Sequence, residues 1–272
     1  MKKFFALLLA VILVFASVSA ALADKLSEIK EKGTFVVGAN VLFPPYEFYW
    51  TNPETGAEEI CGFDMALAKG IADQLGVELV VSDQAFSGLI TALSVGELDA
   101  VISGVSIRED RKEVVDFSEQ YYGGSQIMLV RAEDYDALKV PEDLNGKVVG
   151  AQTGSLQQGI LDEQFSMANG MTMDKIPLMV LDLLNGELDG LILTDTVAKQ
   201  YMAVYPGKLA ISQVPVVYDM SGGVGIAVAK GDNASLLALL NDYIAQVTTD
   251  GTFDAWEQEA MEKSASLVET AD

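Results

Sequence analysis

Apolar and polar positions along this chain follow two rhythms. Short β-rich runs, "GTFVVGAN" (33–40), "VELVVSD" (77–83) and "LDAVIS" (98–103), read as strands. Between them, "GFDMALAKGIADQLGV" (62–77) and "SGLITALSVG" (87–96) place apolar residues three and four apart and read as amphipathic helices. Gly76 stops the first helix and Ser87 is expected to start the second. Strands alternating with helices at this spacing predict βαβ units and a mostly parallel sheet.

The scheme then restarts. After a β-like segment, "GGSQIMLVRAEDY" (123–135), "LNGKVVGAQTGS" (144–155) repeats the sense of "KGTFVVGAN". In the same way "LMVLDLLNG" (178–186) repeats "SGLITALSVG", and "ELDGLILTD" (187–195) repeats "ELDAVISG" (97–104). Asp99 and Asp189 read as turn residues at the starts of equivalent strands. A second β-like segment, "SGGVGIAVAKGD" (221–232), precedes a helical stretch over 232–263. The expected α/β fold has two lobes, lobe 1 from 24–124 and 221–272, lobe 2 from 125–220. Hinges are expected at about 122–128 and 219–226, where Gly123, Gly124, Gly222 and Gly223 free the backbone. "GGVG" is no nucleotide loop, because position 228 is Val where G-x-G-x-x-G ends in Gly, and no Walker pattern occurs.

The amino end changes the picture of where this chain works. "MKKFFALLLAVILVFASVSAALA" has two lysines, an apolar run and small residues before Asp24, the layout of a secretory signal peptide cleaved near Ala23. The apolar run is shorter than the roughly 20 residues of a spanning helix. Removing Lys2 and Lys3 leaves 15 basic against 40 acidic residues, a net charge of −25 that repels nucleic acid and anionic lipid. The chain has no histidine, which excludes Ser-His-Asp and Cys-His catalysis and ordinary zinc sites. Its one cysteine, Cys61, reads as a half-buried thiol beside a strand.

In open α/β sheets ligands bind beyond the carboxyl ends of the strands. Four such ends can be named: Asn40 to Phe43, Ser103 to Ser106, Gln152 to Leu156, and Thr194 with Asp195. Two facing lobes would bring all four to one cleft. Arg111 follows the Ser-rich end, and a guanidinium beside hydroxyls and backbone N–H groups suits a carboxylate. Asp195 suits an ammonium. Together they describe a receptor for an α-amino acid zwitterion. On periodicity alone Arg111 reads more readily as a surface salt-bridge residue and Asp195 as a helix N-cap. The Thr153-Gly154-Ser155 turn reads either as a donor of N–H groups to the carboxylate or as a plain cap.

The run "VVGANVLFPPYEF…GFDMALAKGIADQLGV…FSGLITALSVGELDAVISGVSIREDRKEVVDFSEQYY", with "GKVVGAQTGSLQ", "GELDGLILTDT", "GGVGIAVAKG" and "DGTFDAW", resembles the polar-amino-acid family of extracellular solute-binding proteins, the ligand-capturing subunits of ABC importers. The ordered set ending "GxSIxxxR…VDFSxxYY" carries the likeness over most of the chain after the leader. The resemblance implies a two-lobe periplasmic-binding-protein-like fold (type II), a monomer without cofactor, and partners limited to a free L-amino acid and the ABC permease. It implies that Arg111 holds the α-carboxylate, helped by Ser106 and the Ser155 and Leu156 amides. Asp195 and the carbonyl of Ser103, beside Gly104, would hold the α-ammonium. Phe43 and Phe86 would sandwich the side chain, and Asn40, Gln152 and Thr194 would line its far end.

One departure bears on specificity. Many relatives carry Asp at position 40, and this chain carries Asn. A cation buried without a counter-charge is costly, so a neutral polar ligand such as glutamine is expected, with arginine or lysine as the alternative. Rival readings on the same scaffold are a cyclohexadienyl dehydratase-like enzyme, for which Asp195 would face a keto acid unpaired, and a sensory ligand-binding domain.

Overall fold

The computed structural model describes residues 24–218 and 222–268; the leader expected over 1–23 and residues 219–221 of the second hinge lie outside the described residues. Asp24 caps α1 (Lys25–Lys32), its carboxylate accepting the Ser27 N–H at 2.9 Å, and Gly33 ends the helix at φ 75°. β1 (Thr34–Ala39) leads into a small antiparallel sheet of β2 (Leu42–Phe43), β3 (Glu47–Thr51) and β4 (Glu58–Cys61). α2 (Phe63–Leu75) buries Phe63, Leu67, Ala68, Ile71 and Leu75, the three-to-four spacing of one face. Each such large apolar side chain contributes about 1.5–3 kcal/mol.

β5 (Glu78–Asp83), α3 (Phe86–Ser94), β6 (Ala100–Val101), the single turn α4 (Glu109–Lys112) and β7 (Val115–Tyr122) follow. The second half runs β8 (Gln126–Arg131), β9 (Val148–Gln152), α5 (Leu156–Gln164), β10 (Asn169–Met173), α6 (Ile176–Asn185), β11 (Gly190–Thr194), α7 (Asp195–Val204) and β12 (Leu209–Ile211). The chain returns through β13 (Val224–Ala229) and closes with α8 (Ala234–Thr249) and α9 (Thr252–Ala265).

These elements make two five-stranded sheets, ordered β5-β1-β6-β13-β7 and β10-β9-β11-β8-β12. In each, three neighbouring strands are parallel, the fourth (β13 or β8) is antiparallel to them, and the edge strand beyond it (β7 or β12) points the same way as the three. Helices cover the faces, so the central strands are the buried ones, β11 at every residue, while the edge strands β5 and β10 stay largely open. The chain passes from one sheet to the other between β7 and β8 and returns at β13, which lies inside the first sheet.

The repeated phrase has a structural explanation. Asp99 Oδ2 accepts the Val36 N–H at 2.8 Å, and Asp189 Oδ2 accepts the Val148 N–H at 2.9 Å. In both lobes the same aspartate's N–H returns a bond to the same residue's carbonyl at 2.8 Å. Lys25 and Lys32 hold Asp99, while Lys147 and Arg131 stand by Asp189. The phrase therefore staples the start of one strand to the next, twice.

Three local expectations change. α3 begins at Phe86 after Ala85, and the Ser87 hydroxyl faces Asp174 of the other lobe at 3.4 Å instead of capping. Thr194 is the N-cap of α7 and Asp195 its first residue. The helical tail breaks at Gly251 (φ 82°) into α8 and α9. Gly223 (φ 59°) does more than free the hinge, since a methyl group there would stand 2.6 Å from Gln120 Oε1.

Candidate functional site

The carboxyl ends of β1, β6, β9 and β11 meet between the two lobes. A narrow cavity of about 20 Å³ opens there, walled by Phe43, Tyr46, Phe86, Gly104, Ser106, Gly124, Gln126, Gln152, Leu156, Gln157, Thr194 and Val224. That space holds a water molecule at most. Phe43 stacks on Tyr46 with ring centroids 4.7 Å apart and lies so close over Gly104 (φ 56°) that a methyl group there would meet its ring at 2.8 Å. This contact, with the positive φ, explains why position 104 is glycine.

Arg111 sits in an adjoining recess with Phe86 and Gly154. Its guanidinium carbon lies 5.6 Å from the centre of the Phe86 ring, a cation–π contact. Nη1 donates to the Ser106 carbonyl at 2.9 Å, and Nη2 reaches across the cleft to the Gly154 carbonyl at 3.0 Å. Burial, with the charge of Arg108 adding to it, pushes Arg111 down to about 10, still charged at neutral pH. Arg108 forks on Asp110 at 2.9 and 2.7 Å and also crosses the cleft, to the Ser155 carbonyl at 3.4 Å. Ser155 caps α5 by accepting the Gln158 N–H at 3.1 Å, which aims the first amides of that helix, Leu156 among them, at the cavity side.

At the other end of the cleft two amides bridge the lobes. Gln152 Nε2 donates to Asn40 Oδ1 at 3.2 Å and to the Asp174 carbonyl at 3.1 Å. Asn40 Nδ2 donates to the Gln84 carbonyl at 2.9 Å. The Asn40 backbone N–H donates to Ser103 Oγ at 3.0 Å, tying the first two strand ends together.

Asp195 stands apart from this cluster. Its carboxylate accepts the Ser125 N–H at 3.2 Å and pairs with Lys199 at 2.8 Å. It lines a wider cleft of about 460 Å³ behind the hinge, with Tyr122, Thr196 and Glu257. A methyl group on Gly124, which lines the cavity, would lie 3.0 Å from Asp195 Oδ1, so one glycine separates this carboxylate from the cavity. Asn40, Phe43, Phe86, Ser103, Gly104, Ser106, Arg111, Gln152, Ser155 and Leu156 are thus brought together, and Asp195 is one residue's thickness away. Tyr46, Gln126, Gln157 and Arg108 join the site without having been singled out. Gln157 follows Leu156 directly, and Arg108 lies within "SIREDR", so both were within reach of the same sequence argument.

The chain is similar to known proteins in sequence and fold. ABC transporter arginine-binding protein 1 of Escherichia coli (strain K12) is 30% identical over 261 residues, covering 94% of this chain and 99% of the relative. The L-cystine-binding protein TcyJ of the same species is 30% identical over 249 residues, 91% of this chain and 90% of its own. The crystal structure of an amino acid ABC transporter substrate-binding protein from Streptococcus pneumoniae Canada MDR_19A, bound to L-arginine, superposes with a TM-score of 0.84 at 27% identity, covering 88% of this chain and 98% of that one. The curated relatives bind amino acids and serve ABC transporters, and the structural neighbours are two-lobe binding proteins. With the family model matching residues 35–263, this chain belongs to the bacterial extracellular solute-binding proteins, family 3.

Proposed function

We propose that this protein is the extracytoplasmic substrate-binding component of an ABC amino-acid importer, working in the periplasm as a monomer after loss of residues 1–23. Its lobes, 24–124 with 221–272 and 125–220, part to admit a polar L-amino acid and close over it. The closed form then docks on the membrane permease, where opening releases the cargo. No covalent step is required of any residue.

In this reading the α-carboxylate takes the place of the two carbonyls that Arg111 now serves, with Ser106 and the Ser155 and Leu156 amides beside it. The ammonium goes to the Ser103 carbonyl and to Asp195, which trades Ser125 for the ligand. Phe43 and Phe86 enclose the aliphatic stem.

The observation that carries the choice of ligand is the Asn40–Gln152 pair. Gln152 spends both of its amide donors on Asn40 and Asp174, and Asn40 spends one of its two on Gln84. The pair therefore offers a ligand mainly carbonyl oxygen, which favours a side chain ending in N–H groups. Arginine fits first, through a planar donor end between aromatic faces. Glutamine, favoured on charge alone, offers only one such donor group and comes second. Similarity to arginine-binding relatives supports this order.

The test is a thermal-shift panel of the twenty amino acids with ornithine, citrulline, cystine and prephenate, on mature protein refolded from denaturant. A ligand at 1,000 times its Kd stabilises by about 4 kcal/mol. A shift with L-arginine and a smaller one with L-glutamine is expected. A shift with prephenate alone would replace this reading with the dehydratase.

A further inference from the structure

Beneath the ligand site, two carboxyl groups face each other in the core of the first lobe. Glu47 and Asp64 are both fully buried. Asp64 Oδ1 accepts the Tyr121 hydroxyl at 2.9 Å, and Oδ2 accepts the Gly104 N–H at 2.7 Å. Glu47 Oε1 accepts the Ser103 hydroxyl, whose oxygen in turn accepts the Asn40 N–H. Glu47 Oε2 alone has no donor to accept from, though it is shut away from water. The Asp64 carboxyl is the neighbouring group that acts most strongly on Glu47, and two carboxyls buried together are held side by side by a proton between them.

One proton on Glu47 Oε2, donated to Asp64, satisfies the whole chain. It runs from Asn40 N–H to Ser103, to Glu47, to Asp64, where the Gly104 N–H and the Tyr121 hydroxyl also end. We propose that Glu47 and Asp64 are positioning residues of the ligand site, sharing one proton that locks the backbone of Ser103, Gly104 and Asn40 in the geometry that receives the ligand. This rests on the reading that those three residues form the ligand site.

The surroundings agree with that protonation. Tyr121 from β7, Tyr46 from the link before β3 and Asp83 from the end of β5 are titratable groups that interact with the pair, none of them a cation. Burial and the charge of Asp64 raise Glu47 well above the carboxylate range, so it keeps its proton. Burial raises Asp64 to about 7, against the pull of the Gly104 N–H, Tyr121 and Glu47. Below that value Asp64 takes a second proton and gives up an acceptor position, so the lock loosens in acid and holds above neutrality.

The experiment measures L-arginine and L-glutamine binding by calorimetry from pH 5.5 to 8.5, with hydrogen exchange at the Gly104 amide, in the mature protein. Wild-type affinity is expected to fall by about tenfold from pH 8 to pH 6, with faster Gly104 exchange. Glu47→Gln carries the donor permanently and should stay within about threefold of wild type at pH 8. Asp64→Asn can accept only through one oxygen and should bind weakly with a flat pH profile and rapid Gly104 exchange. Wild-type affinity in Asp64→Asn, or loss of binding in Glu47→Gln at pH 8, would overturn the proposal. If Asp64→Asn does not fold, Tyr121→Phe frees one acceptor of Asp64 and should flatten the pH profile in its place, and an unchanged profile there also overturns the proposal. If neither amino acid binds wild-type protein, the ligand reading fails by itself, and the Gly104 exchange of the variants still decides whether the pair holds the strand end.

Discussion

Arg111 of the first lobe donates to the Gly154 carbonyl of the second at 3.0 Å, so the residue assigned to the ligand's carboxylate is also a bond across the cleft. In the proposed complex the ligand replaces that neutral carbonyl with a carboxylate, so that both partners are charged and the bond can be bidentate. Arg111→Ala should therefore cost the zwitterion about 2–5 kcal/mol, at least about 30-fold in Kd. Arg111→Lys should recover only part of it, because an ammonium cannot fork. Calorimetry with L-arginine decides, and binding within threefold of wild type would remove Arg111 from the carboxylate site.

Gly154 tests closure itself. It adopts φ +74°, and a methyl group there would stand 3.1 Å from Ser87 Cα across the cleft. Gly154→Ala adds roughly 1–2 kcal/mol of backbone strain and holds the lobes apart. Small-angle scattering should show the ligand-saturated variant remaining more extended than ligand-saturated wild type.

Asn40→Asp places a carboxylate opposite Gln152. A cationic ligand should bind about tenfold more tightly, worth about 1.4 kcal/mol, and a neutral one should weaken. The new carboxylate cannot donate to the Gln84 carbonyl, so melting temperature should fall by the loss of about one hydrogen bond, roughly 1 kcal/mol. Equal effects on arginine and glutamine would mean that position 40 does not meet the side chain.

Two buried aspartates give opposite pH dependences. Burial pushes the Asp99 carboxyl up, but Lys32, the Val36 N–H and Lys25 outweigh it and hold it below the usual range. Its stabilisation is present above the unfolded value of about 3.9 and is lost as pH falls through the lower folded value. Asp64, raised to about 7, binds a proton when folded that the unfolded chain releases, so its contribution falls as pH rises from about 4 to 7. Thermal melts should show Asp64→Asn removing a downward slope between pH 4 and 7, and Asp99→Asn reducing the loss below pH 4.

Much of this was legible in the residues. Period and Gly punctuation place α2 within one residue of Phe63–Leu75, and the doubled "GELD" phrase locates β6 and β11. The four strand ends were legible too, because ligand sites in such sheets sit there by topology. The β2-β3-β4 sheet was not, since Leu42–Phe43 is two residues long and Pro44-Pro45 hides the turn. Nor was the Glu47–Asp64 contact, because a bond between residues in different elements leaves no local period. Asp195's bond to Ser125 escaped for the same reason, whereas its pair with Lys199 is an i,i+4 contact within α7. Ser87 looked like a cap by type, yet its hydroxyl faces Asp174 of the other lobe.

The place of β13 in the first sheet has a consequence for the order in which the chain can fold. β13 lies between β6 and β7, so the first sheet stays in two pieces until residues 224–229 emerge. The second sheet uses only strands from 126–211 and can assemble as soon as they are made. A chain that emerges amino end first thus keeps its amino half open until β13 arrives, because the strand that completes that half comes in the last fifth of the sequence. Joining strands so far apart in sequence is the slow, entropy-limited step, so the second lobe is the template that forms first and the first lobe closes around the arriving tail.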